Sequence, residues 1–393
     1  MRSCTHKHFI SFVVVLTSSI ESDRKRYPQL DGVRAFAVSA VFIGHFLGDR
    51  FIAELVGWGD TGVILFFCLS GFLITEILLR IDRSPDTCVG GIKVFYARRV
   101  LRIFPIYYLV ILTGVAIGYP PIQEHFWRLV TYSLNIPMLP ATENVGAATH
   151  FWSLNVEEQF YLIWPTVVVF FPRQRLKGLV MIVILASLAY KFLLALMGFR
   201  YTLIFWNVLG CMDSLGLGAF LAVHRNQNQN NPATLSPFVK IGAFAALAWI
   251  ALTVIRIILH VDPWYKGHLP FAVAHFTCGA VAFTGLVAFA LKGSRNLLGR
   301  ILQNRVARYI GKISYGLYVY HFFMPLVLSR AQAKGFLTIS GDLQMALYCT
   351  VLSICVAVLS WHFFEHPILQ FKQHFEYSAK KAQPATAVAK ASG

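Results

Sequence analysis

Apolar residues in this chain gather into runs of span length rather than into stripes. Ile241–Leu259 and Phe271–Leu291 show no polar face, whereas a soluble helix of that length carries one apolar stripe and one polar side. About 20 apolar residues carry an α-helix across a bilayer. The pattern predicts spans near residues 33–48, 61–79, 103–118, 152–171, 179–197, 202–223, 238–259, 270–291, 314–331 and 344–363. The basic residues fall in the gaps. If both termini lie inside, the cytoplasmic segments hold 25 Lys and Arg. The external loops then hold five: Arg50, Arg128, Arg200, Lys266 and Lys334. That asymmetry is the positive-inside distribution, and termini on one side require an even number of spans. The expected fold is therefore all-α, a polytopic transmembrane helical bundle of about ten spans with both termini cytoplasmic.

Composition narrows the classes further. Hydrophobic residues make up 56% of the chain and charged residues 13%, against about 25% charged in an ordinary soluble domain. A net charge of +17 would suit nucleic acid, but the cations sit between apolar runs rather than on one face. No nucleic-acid motif accompanies them, so that class is set aside. The seven cysteines are scattered and include no CxxC pair, which argues against a disulfide framework or a metal site. Residues 1–29 read as a cytoplasmic extension, with Phe9–Leu16 too short to span. Residues 30–370 form the membrane domain. Residues 371–393, rich in Lys and Ala, are expected to be a disordered cytoplasmic tail. No long soluble segment is expected, so any chemistry must use the spans and short loops.

Ionisable groups within spans are costly and usually functional. Arg34 and His45 are 11 residues apart in the first span. On a helix that spacing returns to within about 20° of one face and rises about 16 Å. Arg98, Arg99 and Arg102 form a dense cluster at the start of the third span. Arginine suits bidentate phosphate binding, although topogenic or lipid-headgroup roles fit the cluster too. Glu157 and Glu158 enter the fourth span side by side. Adjacent helical residues diverge by about 100°, so the two are not expected to share one task. His150, His321 and Glu365 are further polar groups at the bundle. Gly62, Ser70 and Gly71 read as small interface residues. A nucleophilic Ser70 would need a base, and none stands near it in the sequence.

These residues lie in strings that together resemble the acyltransferase 3 family of integral membrane O-acyltransferases. The strings are LDGVRA followed by His45, GVILFFCLSGFLI, FYARRVLRIFPIYY, HFWSLNVEEQFYLIWP, ISYGLYVYH and FFEHP, in that order. The resemblance covers roughly residues 28–370 and implies ten core helices. It also implies transfer of an acyl group, usually acetyl, from acyl-CoA to a hydroxyl of a surface glycan, peptidoglycan, lipid-linked sugar or macrolide. Some members carry an extracytoplasmic esterase-like domain, which is not expected here. Under the resemblance, Arg34 and His45 form an Arg-X10-His pattern with His45 the catalytic residue, and Arg99 and Arg102 form an Arg-x-x-Arg pattern on the acyl-CoA side. The donor phosphates are then expected to dock near Arg98, Arg99 and Arg102, with Arg34 helping. Glu157 and Glu158 match the acidic pair and are expected to serve catalysis, orienting the His45 imidazole or binding the sugar, without separable roles. Cys68 stands where Val or Ile is more usual, a volume-conserving difference.

The expected donor is acetyl-CoA or another acyl-CoA, bound as substrate, with no permanently bound cofactor and no metal. The expected partners are a carbohydrate or glycolipid acceptor and membrane lipid. The expected location is the bacterial inner membrane. A glycan or lipid translocase without acyl transfer is the alternative for such a bundle, but it would usually show internal repeats, and none is seen.

Overall fold

The computed structural model describes residues 27–47, 57–136, 145–261 and 266–375. The expected extension and most of the expected tail lie outside these residues. Among the described residues, ten helices have 17 residues or more. They are α1 (Pro28–Phe46), α2 (Trp58–Leu79), α3 (Pro85–Ala116), α4 (Trp152–Phe170) and α5 (Arg173–Leu196). They continue with α6 (Val208–Gln227), α7 (Ser236–Ile258), α8 (Leu269–Lys292), α9 (Arg305–His321) and α10 (Asp342–Ser360). Each predicted span overlaps one of them, but 202–223 and 314–331 are each divided between a long helix and a short one, Tyr201–Phe205 before α6 and Met324–Ala333 after α9. Six helical stretches are long and apolar enough to cross a membrane: Trp58–Leu79, Thr87–Ala116, Arg173–Leu196, Pro232–Ile258, Leu269–Lys292 and Asp342–His374. Of the remaining long helices, α1 carries Arg34 and His45, α4 carries Glu157 and Glu158, and α9 carries His321.

Two boundaries differ from expectation. The Arg98–Arg102 segment belongs to one 32-residue helix rather than to a loop. It lies on well-formed helical turns between Ala97 and Ile103, and Pro105 is accommodated inside the helix. At the other end, a helical turn at Phe371–His374 continues the ordered chain into the segment expected to be disordered.

The exterior is apolar, unlike that of a soluble protein, and the largely apolar interior also holds ionisable groups. Phe244 is 75% exposed and Leu162 68% exposed, on outward faces. Lys191, Asp213, His150 and His321 are buried. An apolar exterior with the ionisable groups turned inward is the arrangement a hydrocarbon solvent selects.

The bundle is built by close helix pairs. The largest contacts join α2 to α6, α7 to α8, α1 to α9, α5 to α6, and α1 to α2. A methyl group at Gly71 would strike the Leu215 carbonyl on α6, and one at Gly218 would strike the Cys68 carbonyl on α2. Glycine at both places lets the two backbones touch. Polar ties lock the same elements. At one end, Arg225 of α6 pairs with Glu76 of α2 at 3.0 Å and donates to the Tyr27 hydroxyl at 2.5 Å. Within the bundle, Lys191 of α5 pairs with Asp213 of α6 at 2.5 Å.

Candidate active site

The fourth helix brings both carboxylates to the site. Its first turns present Ser153, Leu154, Glu157, Glu158 and Tyr161 to a cleft between the helices. Arg34 of α1, Ser70 of α2, Arg99 and Arg102 of α3, and Ser314, Tyr315 and Tyr318 of α9 complete its polar lining. Five of the seven residues selected from the sequence therefore meet in one place: Arg34, Arg99, Arg102, Glu157 and Glu158. The 100° divergence of the two glutamates does not separate them, because the cleft is wide enough to take both sides of that turn.

The polar groups of the cleft are organised. Ser70 donates a short hydrogen bond to Glu157, and its hydroxyl lies 2.9 Å from that of Tyr161. The carboxylate beside Ser70 thus comes from 87 residues away, which no local reading of α2 could reveal. The Arg99 guanidinium lies 5.0 Å from the Tyr161 ring centroid, in cation–π range. Arg34 is held by Asp31 at 2.8 Å, one helical turn earlier. Tyr315 donates to the Ile103 carbonyl at 2.8 Å, joining α9 to α3. One carboxylate oxygen of Glu158 is buried without a hydrogen-bond partner among the described residues. A buried acceptor left in that state is costly, so it is a ready contact for a donor group of a ligand.

Arg98 is placed elsewhere. Its Nε donates to the Phe375 carbonyl at 2.6 Å, and it does not line the cleft. On the helix it is one residue from Arg99 and so points about 100° away.

His45 does not line the cleft either. It stands at the far end of α1 from Arg34, about 16 Å along the axis by helical rise. There its Nδ1 is 2.7 Å from Nε2 of His321. His321 is fully buried, and its Nδ1 is 2.6 Å from the Tyr318 carbonyl. The His150 ring stands edge-on to His321 at 5.0 Å. Tyr318 joins the two regions. It lines the cleft, its hydroxyl lies 2.5 Å from that of Ser153, and it donates to the His150 carbonyl at 3.0 Å. It therefore partitions the arginine–glutamate cleft from the three imidazoles.

The sequence marks His321 and His150 only as polar groups at the bundle, and Tyr318 equally suits packing or a ligand contact there. The pairing of His45 with His321 is not legible in it, since the two are 276 residues apart. The available signal was helical spacing: Tyr318 and His321 are three residues apart and share a face of α9.

The chain is similar in sequence to known proteins. Residues 27–362 match the acyltransferase domain family, and the chain belongs to this acyltransferase 3 family. Among curated proteins, it is 27% identical over 375 residues to the putative peptidoglycan O-acetyltransferase YrhL of Bacillus subtilis, covering 88% of this chain and 56% of that protein. It is equally 27% identical over 375 residues to the peptidoglycan O-acetyltransferase OatA of Listeria monocytogenes, with the same 88% and 56% coverage. It is 28% identical over 393 residues to the O-acetyltransferase OatA of Staphylococcus aureus, covering 92% of this chain and 60% of that protein. The chain thus spans less than two thirds of the length of these relatives. No solved structure matches the chain.

Proposed function

We propose that the protein is a membrane O-acyltransferase that moves an acyl group, acetyl in the first place, from cytosolic acyl-CoA to a hydroxyl of a surface glycan or related sugar-containing acceptor. The observation that carries this reading is a charged cleft tied through Tyr318 to a cluster of three imidazoles. Three arginines and two carboxylates gather in a cleft within an otherwise apolar bundle. Beyond the Tyr318–Ser153 partition stands an exposed imidazole, His45. The peptidoglycan O-acetyltransferase names of the relatives support a carbohydrate acceptor.

In this reading Arg34, Arg99 and Arg102 hold the donor phosphates by charge-assisted hydrogen bonds. Arg98, turned to the Phe375 carbonyl, contributes only long-range attraction. The free oxygen of Glu158 accepts from an N–H of the donor, and Glu157, fixed by Ser70, keeps the cleft wall polar. His45 takes the proton of the acceptor hydroxyl as general base. The new ester C–O bond forms as the thioester C–S bond breaks, and the proton passes from His45 to the leaving thiolate. The charge asymmetry of the loops supports a cytoplasmic side for the arginine cleft. With ten spans and both termini inside, the acceptor approaches from outside a bacterial inner membrane.

Mass spectrometry of surface glycans and lipid-linked sugars tests the reading. A deletion strain is complemented with wild type or with His45→Ala, both matched for membrane expression. The expected result is a gain of one acetyl mass per modified sugar with wild type only. Equal restoration by His45→Ala removes His45 from the chemistry. Absence of acyl gain with wild type, across glycans and lipid-linked sugars, overturns the assigned acceptor class.

A further inference from the structure

The pairing of His45 with His321 fixes which nitrogen is free to react. A carbonyl oxygen only accepts hydrogen bonds. The Tyr318 carbonyl, 2.6 Å from His321 Nδ1, therefore requires a proton on that nitrogen. In neutral His321 the proton on Nδ1 leaves Nε2 as a bare acceptor. His45 Nδ1, 2.7 Å away, must then carry the proton of the shared bond. In neutral His45 the lone pair is left on Nε2. The geometry agrees: the two rings lie within 10° of parallel with centroids 5.0 Å apart. Together with the short N···N distance, that describes rings joined edge to edge in one plane. Nε2 of His45 points to Gly59 of α2, where a methyl group would stand 3.3 Å away. His45 is exposed, whereas His321 is held between Phe42, His45 and His150 and is fully buried.

We propose that His321 is a positioning residue that holds His45 in the Nδ1–H tautomer, making Nε2 the nitrogen that accepts the hydroxyl proton. The inference rests on the reading that His45 performs the acyl transfer, and it adds the orienting partner and the reactive atom. When Nε2 takes a proton, His45 becomes an imidazolium. Its Nδ1–H bond to His321 is then charge-assisted and stronger than in the ground state. An interaction that strengthens only as the reaction proceeds raises turnover rather than donor binding. Returning the Nε2 proton to the leaving thiolate restores the starting tautomer.

The test uses the full chain in lipid nanodiscs with two independent readouts. The first is the ring ¹⁵N spectrum of histidine-labelled protein, with the His45 signals assigned by their loss in His45→Ala. The expected wild-type pattern is protonated Nδ1 and unprotonated Nε2, changing in His321→Leu. The opposite tautomer in wild type, or an unchanged His45 pattern in His321→Leu, overturns the proposal whether or not the protein acylates anything. The second readout is free-thiol release from acetyl-CoA with a chito-oligosaccharide as surrogate acceptor. His321→Leu is expected to lower kcat about 10²- to 10³-fold, the range of a general-base contribution. The KM for acetyl-CoA should stay within about twofold, since uniform donor binding is untouched. His321→Gln, whose amide oxygen can accept from His45 Nδ1, should recover at least about tenfold of that loss. Equal kcat in wild type and His321→Leu overturns the proposal, as does a loss confined to KM. Failure of wild type to release thiol counts against acyl transfer itself, and the spectrum still decides the tautomer.

Discussion

The Lys191–Asp213 pair offers a quantitative test of how this bundle is held together. Lys191 is 2% exposed and Asp213 1% exposed, and their charged atoms are 2.5 Å apart. Lys191→Met keeps the volume of the stem and removes the ammonium. The carboxylate left behind retains a hydroxyl of Ser214 at 3.3 Å but loses its counter-charge. Breaking a buried pair from one side costs about 3–5 kcal/mol, and the residual Ser214 contact puts Lys191→Met near about 3 kcal/mol. Asp213→Leu strands an ammonium whose other close partner is the Phe205 ring at 5.7 Å, so it belongs toward about 5 kcal/mol. Replacing both partners removes both uncompensated charges. The double variant should therefore lie within about 2 kcal/mol of wild type, a coupling of several kcal/mol. The assay is reversible unfolding in mixed micelles as the SDS fraction rises, followed by tryptophan fluorescence. Thiol release per folded molecule should be unchanged, because neither residue lines the cleft. Additive costs in the double variant, or a Lys191→Met protein within about 1 kcal/mol of wild type, would falsify the assignment of this pair as a buried electrostatic tie.

Further outcomes follow from the same contacts. Arg99→Ala and Arg102→Ala should each raise the KM for acetyl-CoA about 10- to 100-fold, the worth of about 1.5–3 kcal/mol per charged hydrogen bond. Arg98→Ala, outside the cleft, should change it by less than about threefold, as exposed charges do; steady-state thiol release distinguishes them. Gly71→Val should fail to yield monodisperse protein, because its side chain meets the Leu215 carbonyl. Gly90→Ala meets nothing within 4 Å and should be neutral or stabilising by about 0.5–1 kcal/mol in a thermal melt. Ser70→Ala removes the hydroxyl bonded to Glu157 and Tyr161 and should cost about 1–3 kcal/mol of stability, read by the same melt.

What the sequence exposed was whatever depends on local periodicity. The six stretches apolar enough to cross a membrane show as apolar runs, because a helix in hydrocarbon needs no polar face. The cleft residues stood out because Arg34, Glu157 and Glu158 are ionisable groups inside predicted spans. Their convergence was not legible, since Arg34, Arg99 and Glu157 come from three helices whose packing depends on small-residue seams such as Gly71 with Gly218. Arg98 shows the limit from the other side. It shares the motif with Arg99, yet helical geometry turns it toward Phe375. His321 was invisible as a partner because nothing near His45 in sequence predicts a ring from α9, and only the α1–α9 contact joins them.

The separation of Arg34 from His45 along one helix bears on electrical balance. On the proposed route the acyl group moves outward and leaves its bonding electron pair on the thiolate, while the phosphates stay beside the arginines. If the hydroxyl proton follows the leaving thiolate inward, an acyl cation equivalent has been exchanged for a proton, and no net charge crosses. Each charge that did cross would couple to the membrane potential by about 2.3 kcal/mol per 100 mV. Turnover by this chain in sealed proteoliposomes should then ignore a potassium–valinomycin potential. A rate that falls when the interior is made negative would mean that the proton leaves on the acceptor side, with the thiolate reprotonated from the cytosol.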